Sequence, residues 1–97
     1  MFLLPVQELP GHRGSVLCLD GCGSGSLMSG GEDATVRLWD LNAGRSTRAI
    51  LLPAGRSSKD AAVNCVCYGR EATAHCVYAA AGREIFCYDT RAPGVLL

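Results

Sequence analysis

The stretch from Gly11 to Asp40 constrains the chain more than any other part. It opens on Gly11-His12 and closes on Val36-Arg37-Leu38-Trp39-Asp40. Between them lie two short apolar runs, Ser15-Val16-Leu17-Cys18-Leu19 and Ser26-Leu27-Met28-Ser29-Gly30-Gly31. The turn-forming string Asp20-Gly21-Cys22-Gly23-Ser24-Gly25 separates them, and Gly31-Glu32-Asp33-Ala34 precedes the last run. Short apolar runs punctuated by Gly, Ser and Asp predict three antiparallel strands joined by tight connections.

A Gly-His pair and a Trp-Asp pair set one blade's length apart form the signature of WD repeats. On these residues the chain resembles the WD-repeat β-propeller family. The resemblance implies an all-β fold, a partial β-propeller of about two blades of four antiparallel strands. It also implies a tetrad, whose residue types stand here as His12, Ser29, Asp33 and Trp39. The chemistry of the four agrees with that role. Trp39 only donates, Ser29 and neutral His12 both accept and donate, and ionised Asp33 only accepts. A chain of bonds from Trp39 to Ser29 to His12 to Asp33 therefore ends in itself and ties the strands together.

Ser29, His12 and Asp33 are also the residue types of a hydrolase triad. A nucleophilic serine needs an exposed elbow with oxyanion donors close by, as in G-x-S-x-G. Here the serine sits as Met28-Ser29-Gly30 inside an apolar run, with its proton and its oxygen both engaged by the tetrad. No catalytic residue, and hence no enzyme, is expected.

The rest of the chain follows the same plan. Residues 1–9 read as an outer strand before the first repeat, with Pro5 on its unpaired side. Leu41-Asn42-Ala43-Gly44-Arg45 reads as a turn, residues 47–52 as the fourth strand and residues 54–59 as an exposed loop. Val63-Asn64-Cys65-Val66-Cys67-Tyr68, Cys76-Val77-Tyr78-Ala79-Ala80 and Glu84-Ile85-Phe86-Cys87-Tyr88-Asp89 repeat the first three strands. Tyr88-Asp89 stands where Trp39-Asp40 stood, and the tetrad is lost. Lys59 falls near the place of His12, Ala or Tyr replaces Ser29, and Gly82 takes the turn of Asp33. Gly94-Val95-Leu96-Leu97 begins a further strand. The expected division is 1–97 as one partial propeller, with repeat 1 at 10–53 and a degenerate repeat 2 at 54–97. Two blades cannot close a ring of roughly four to eight. The expectation is a piece of a larger propeller, or a chain that self-associates if it is really this short.

Composition narrows the function. The 97 residues carry nine basic and nine acidic side chains, for zero net charge. That balance gives no electrostatic reason to expect nucleic acid or an anionic membrane. The bias of Arg45, Arg48, Arg56, Lys59 and Arg70 reads as a solvated face, since no aromatics are interleaved to stack on bases. Met1 to Val6 is too short and lacks the basic start of a signal peptide, so an intracellular protein of cytoplasm or nucleus is expected. Cys18, Cys22, Cys65, Cys67, Cys76 and Cys87 include no C-x-x-C pair. Free buried thiols are expected, with no metal site and no cofactor. His75 reads as a loop or strand-start residue.

What remains is protein binding. The resemblance implies a rigid scaffold that holds protein partners of unknown identity. A finer resemblance lies in Tyr88-Asp89-Thr90-Arg91. Aromatic-Asp-x-Arg endings mark many WD-repeat substrate receptors of cullin-RING ubiquitin ligases, where they help to dock the ligase's adaptor. Tyr88, Asp89 and Arg91 are thus candidate partner-binding residues; the alternative is that Arg91 only caps the strand end or pairs with Asp89. Gly82 and Arg83 depart from the pattern, in which an acidic residue is usual.

Overall fold

A computed structural model describes residues 7–23, 25–53 and 62–91. Among them are seven strands: β1 (Val16–Cys22), β2 (Ser26–Gly31), β3 (Thr35–Asp40), β4 (Arg45–Leu51), β5 (Val63–Tyr68), β6 (Cys76–Ala81) and β7 (Glu84–Asp89). A 3-10 turn, Glu71–Thr73, links β5 to β6. Antiparallel pairing orders the strands as one sheet β1-β2-β3-β4 and another β5-β6-β7. The fold is all-β, two blades of a propeller.

Turn chemistry sets each reversal. Gly23 and Gly25 have φ of 59° and 112° between β1 and β2, a region that glycine enters without steric cost. Ala34, at φ 64°, ends the β2–β3 connection, as expected of a three-residue hairpin loop whose last member is left-handed. After β3, the Asp40 carboxylate accepts the main-chain N–H groups of Asn42 at 2.9 Å and Ala43 at 3.1 Å. The aspartate of Trp39-Asp40 thereby ends one strand and shapes the turn into the next.

The core lies between the two sheets. Met28, Val36, Ile50 and Leu52 of the first meet Val63, Val66, Val77, Ala79, Ala81 and Tyr88 of the second. Met28, Leu52, Val36, Val63 and Val77 are the largest fully buried side chains, each worth roughly 1.5–3 kcal/mol relative to exposure. β5 approaches β1 and β2 closely enough that Gly30 cannot carry a side chain. A Cβ there would stand 2.5 Å from Val63 Cγ1 and 2.8 Å from Cys18 Sγ. Among the described residues, three bonds cross the seam. Tyr68 N–H donates to Asp20 Oδ2 at 2.7 Å, Arg48 Nη1 to the Thr90 carbonyl at 3.3 Å, and the Cys18 thiol to the Val63 carbonyl at 3.4 Å.

β1 and β5 carry matching bulges, between Val16 and Cys18 and between Val63 and Cys65. A bulge adds one residue to one strand and resets its alternation. Val63 and Val66 therefore both face inward, while Cys65 and Cys67 face out.

Some boundaries differ from expectation. Asp20, Gly21 and Cys22 belong to β1 rather than to a turn, because Cys22 pairs with Ser26 and the chain reverses only between them. Arg45 opens β4 by pairing with Asp40. The thiols are free, but Cys22, Cys65, Cys67 and Cys87 are exposed and Cys18 and Cys76 half-buried, which corrects the expectation of buried cysteines. The outer strand expected at 1–9 falls mostly on residues 1–6, outside the described residues, and Gln7 to Leu9 are not in a strand. The loop at 54–59 with Arg56 and Lys59, and the strand beginning at Gly94, also lie outside them. The second sheet accordingly has three described strands.

Candidate functional site

The four tetrad residues come from three strands' worth of chain and meet on the face of the first sheet that points away from the second. β2 directs Met28 and Gly30 inward and Leu27 and Ser29 outward, and Trp39 pairs with Leu27 across β3. Trp39 Nε1–H donates to Ser29 Oγ at 2.8 Å. Ser29 Oγ stands 2.6 Å from His12 Nε2, and His12 Nδ1 is 3.1 Å from both carboxylate oxygens of Asp33. Asp33 only accepts, so Nδ1 carries the proton, Nε2 accepts, and the serine hydroxyl donates to it.

Asp33 gathers more than His12. It accepts Arg13 N–H at 2.9 Å, Thr35 N–H at 3.2 Å and the Thr35 hydroxyl at 2.7 Å. Burial alone pushes its carboxyl up, but the donors from Arg13, Thr35 and His12 outweigh that and lower it from 3.8 to about 2. Thr35 Oγ1 also lies 3.2 Å from His12 Nδ1, making it a fifth member. The pattern Asp-x-Thr was the available signal, since a hydroxyl two residues after an aspartate readily bonds back to it.

The Ser-His-Asp geometry thus resembles that of a triad in its distances. It differs in access and in the use of the oxygen. Ser29 is 2 % exposed, and its Oγ already accepts the indole N–H. Gly31 adds a steric seal, because a Cβ there would lie 2.9 Å from His12 Nδ1.

Among the described residues, the second sheet holds no such network. Register places Ala79 where Ser29 stands and Tyr88 where Trp39 stands. Tyr88 is buried, which pushes its phenol up, and its ring stacks on Phe86 with centroids 6.4 Å apart. Thr90 closes the strand end, donating both N–H and hydroxyl to the His75 carbonyl at 2.8 Å each. Beyond it Arg91 folds back on Asp89. Arg91 N–H and Nε–H reach Oδ1 at 2.8 and 3.2 Å, and Nη2 reaches Oδ2 at 3.1 Å. This fork–fork pair is open to solvent, with the arginine side chain 69 % exposed. Among the described residues, no three His, Cys, Asp or Glu side chains gather as metal ligands.

Residues 3–40 match the WD domain, G-beta repeat family. The chain is 34 % identical over 91 residues, 93 % of its length, to the WD repeat-containing protein 53 homolog of Dictyostelium discoideum. It is 34 % identical over 65 residues to CCR4-associated factor 4 of Saccharomyces cerevisiae, and 46 % identical over 43 residues to human WD repeat-containing protein 18. These alignments cover 65 % and 43 % of the chain, respectively. The matched segments span 23 % of the Dictyostelium protein and 10 % of each of the other two.

Proposed function

We propose, since the chain belongs to the WD-repeat family, that it is a protein-interaction scaffold without catalysis. One observation carries the non-catalytic half. The residues that could do chemistry, Ser29, His12 and Asp33, are consumed in a buried and internally satisfied chain of bonds. Such a network rigidifies a sheet, and a rigid frame presents its loops for recognition. A fluorophosphonate probe is expected to leave Ser29 unlabelled in the folded protein. Labelling that Ser29→Ala removes would overturn the reading. The six free thiols suit a reducing compartment, in keeping with a place in cytoplasm or nucleus.

A second reading concerns the partner. Arg91 is exposed, and Asp89 holds its guanidinium in one orientation at the end of β7. A pre-organised guanidinium with donors to spare suits a carboxylate or carbonyl on a partner. This favours docking to a cullin-RING ligase adaptor through Tyr88, Asp89 and Arg91, with the scaffold acting as substrate receptor. The protein should co-purify with the adaptor, and Arg91→Ala should abolish this while leaving the melting temperature unchanged. Binding by Arg91→Ala equal to wild type would end the ligase reading and leave the general one.

A further inference from the structure

We propose that the seam between the two sheets ends in a groove for an extended peptide segment of a partner protein, and that Arg48 holds an aspartate or glutamate side chain of that segment. The proposal rests on the protein-binding reading above and gives it a site.

The groove lies at one rim of the molecule. Ser26 opens β2, Trp39 stands next to the end of β3, Thr47 and Arg48 lie near the start of β4, Tyr68 ends β5 and Thr90 follows β7. These residues line an open cleft of about 320 Å³. A second hollow, of about 430 Å³, shares Tyr68 as a wall and lies between the β1–β2 turn and the Gly69–Ala74 link. Both sheets contribute to each hollow, and both hollows sit at strand ends. They therefore depend on the seam within the chain and not on the outer face of either sheet. A small-molecule pocket is enclosed and mostly apolar. An open trough with polar walls, crossing from one sheet to the next, suits an extended segment instead.

A bulge builds the arginine into this trough. Leu38 pairs with Arg48 but Trp39 pairs with Ser46, so Thr47 is the extra residue. Neighbours on a regular strand point to opposite faces, yet Thr47 and Arg48 both line the cleft. Arg48 is half-buried, and its Nη1 donates to the Thr90 carbonyl across the seam at 3.3 Å. A guanidinium carries five N–H donors in a fixed fork, so that bond steadies the group and leaves most of its capacity unused.

The carboxylates beside the groove are engaged elsewhere. Asp20 accepts Tyr68 N–H, Asp40 accepts Asn42 and Ala43 N–H, and Asp89 accepts Arg91. Among the described residues, Arg48 joins no ion pair. A half-buried cation attracts an anion more strongly than one in open water, and a carboxylate matches the fork. The walls add neutral donors. Ser26 brings a hydroxyl, and burial, the Cys22 thiol and Asp20 push the Tyr68 phenol up to about 12, so it stays protonated at neutral pH. Arg91 is a separate group, paired with Asp89 and lining neither hollow.

Panning a display library of random peptides on the full-length protein tests this. Clones enriched on wild type should carry an aspartate or glutamate at a fixed place. Synthesised with both termini blocked, they should bind Arg48→Gln about ten- to a hundredfold more weakly in fluorescence anisotropy. Thr47→Trp, which fills the cleft from an exposed position, should abolish binding. Circular dichroism checks that each variant keeps its strands, and if one does not, the other decides. No enrichment, enriched peptides without a fixed acidic residue, or wild-type affinity in either folded variant would overturn the proposal. Ser29 left unlabelled by the fluorophosphonate probe keeps the scaffold reading standing whichever way the panning falls.

Discussion

Replacing Asp33 with Ala removes the acceptor at the end of the tetrad, and the structure sets the size of the loss. The His12 side chain is 4 % exposed, so water cannot freely replace the carboxylate at its Nδ1–H. An orphaned buried donor costs about 1–3 kcal/mol. The Arg13 N–H that Asp33 also accepts is exposed and can turn to solvent. Thr35 Oγ1, 3.2 Å from Nδ1, is freed from the carboxylate and recovers part of the loss. We expect a net destabilisation of about 2 kcal/mol. For a domain of this size that lowers the melting temperature by roughly 8–16 °C, read by circular dichroism at one fixed protein concentration. A second signature is acid sensitivity. Asp33 is held at about 2 in the fold against its ordinary 3.8, so its contribution is complete above pH 3.8 and is lost as pH falls through about 2. The alanine variant should lack that part of the acid transition. Replacing the Arg13 side chain, which leaves its N–H in place, should do far less. An unchanged melting temperature for Asp33→Ala, or an acid profile identical to wild type, would refute the network.

Gly30→Ala should force the sheets apart, because its Cβ would meet Val63 and Cys18. A cost of about 1–3 kcal/mol in urea unfolding is expected, whereas Gly21→Ala, whose Cβ would meet only the Ser26 carbonyl at 3.9 Å, should change little; equal midpoints would count against the close approach of β5 to β2. Burial pushes the Cys18 thiol up, and burial and the Cys87 thiol do the same for Cys76. Iodoacetamide at neutral pH should therefore modify exposed Cys22 and Cys67 first, and mass spectrometry showing equal rates at all of these sites would contradict the described exposure.

The strands were legible because turn residues and apolar runs are local signals. Trp39, Ser29, His12 and Asp33 could be ordered from their donor and acceptor capacities alone. What the chain did not reveal depends on contacts between distant segments or on one-residue irregularities. Nothing about Asn64 announces a bulge, yet that extra residue turns Cys65 and Cys67 outward, against the reading of them as buried filler. Asp20 looked like a turn residue because it precedes Gly21. Its role is to accept Tyr68 N–H across a seam that exists only once the two sheets meet. Thr35 was missed for a simpler reason, since threonine opening a strand needs no further explanation than its β-propensity.

Trp39 is the chain's single tryptophan, and its indole N–H is committed to Ser29. Its fluorescence is therefore a local gauge of the first sheet and is blind to the second, whereas a backbone signal averages over both. If the two sheets unfold as one body, melts followed by emission and by circular dichroism coincide. If the seam at Gly30 and Val63 opens first, the backbone signal begins to fall while the emission still reports an intact indole. One naturally placed fluorophore thus separates cohesion within a blade from cohesion between blades, with no label added.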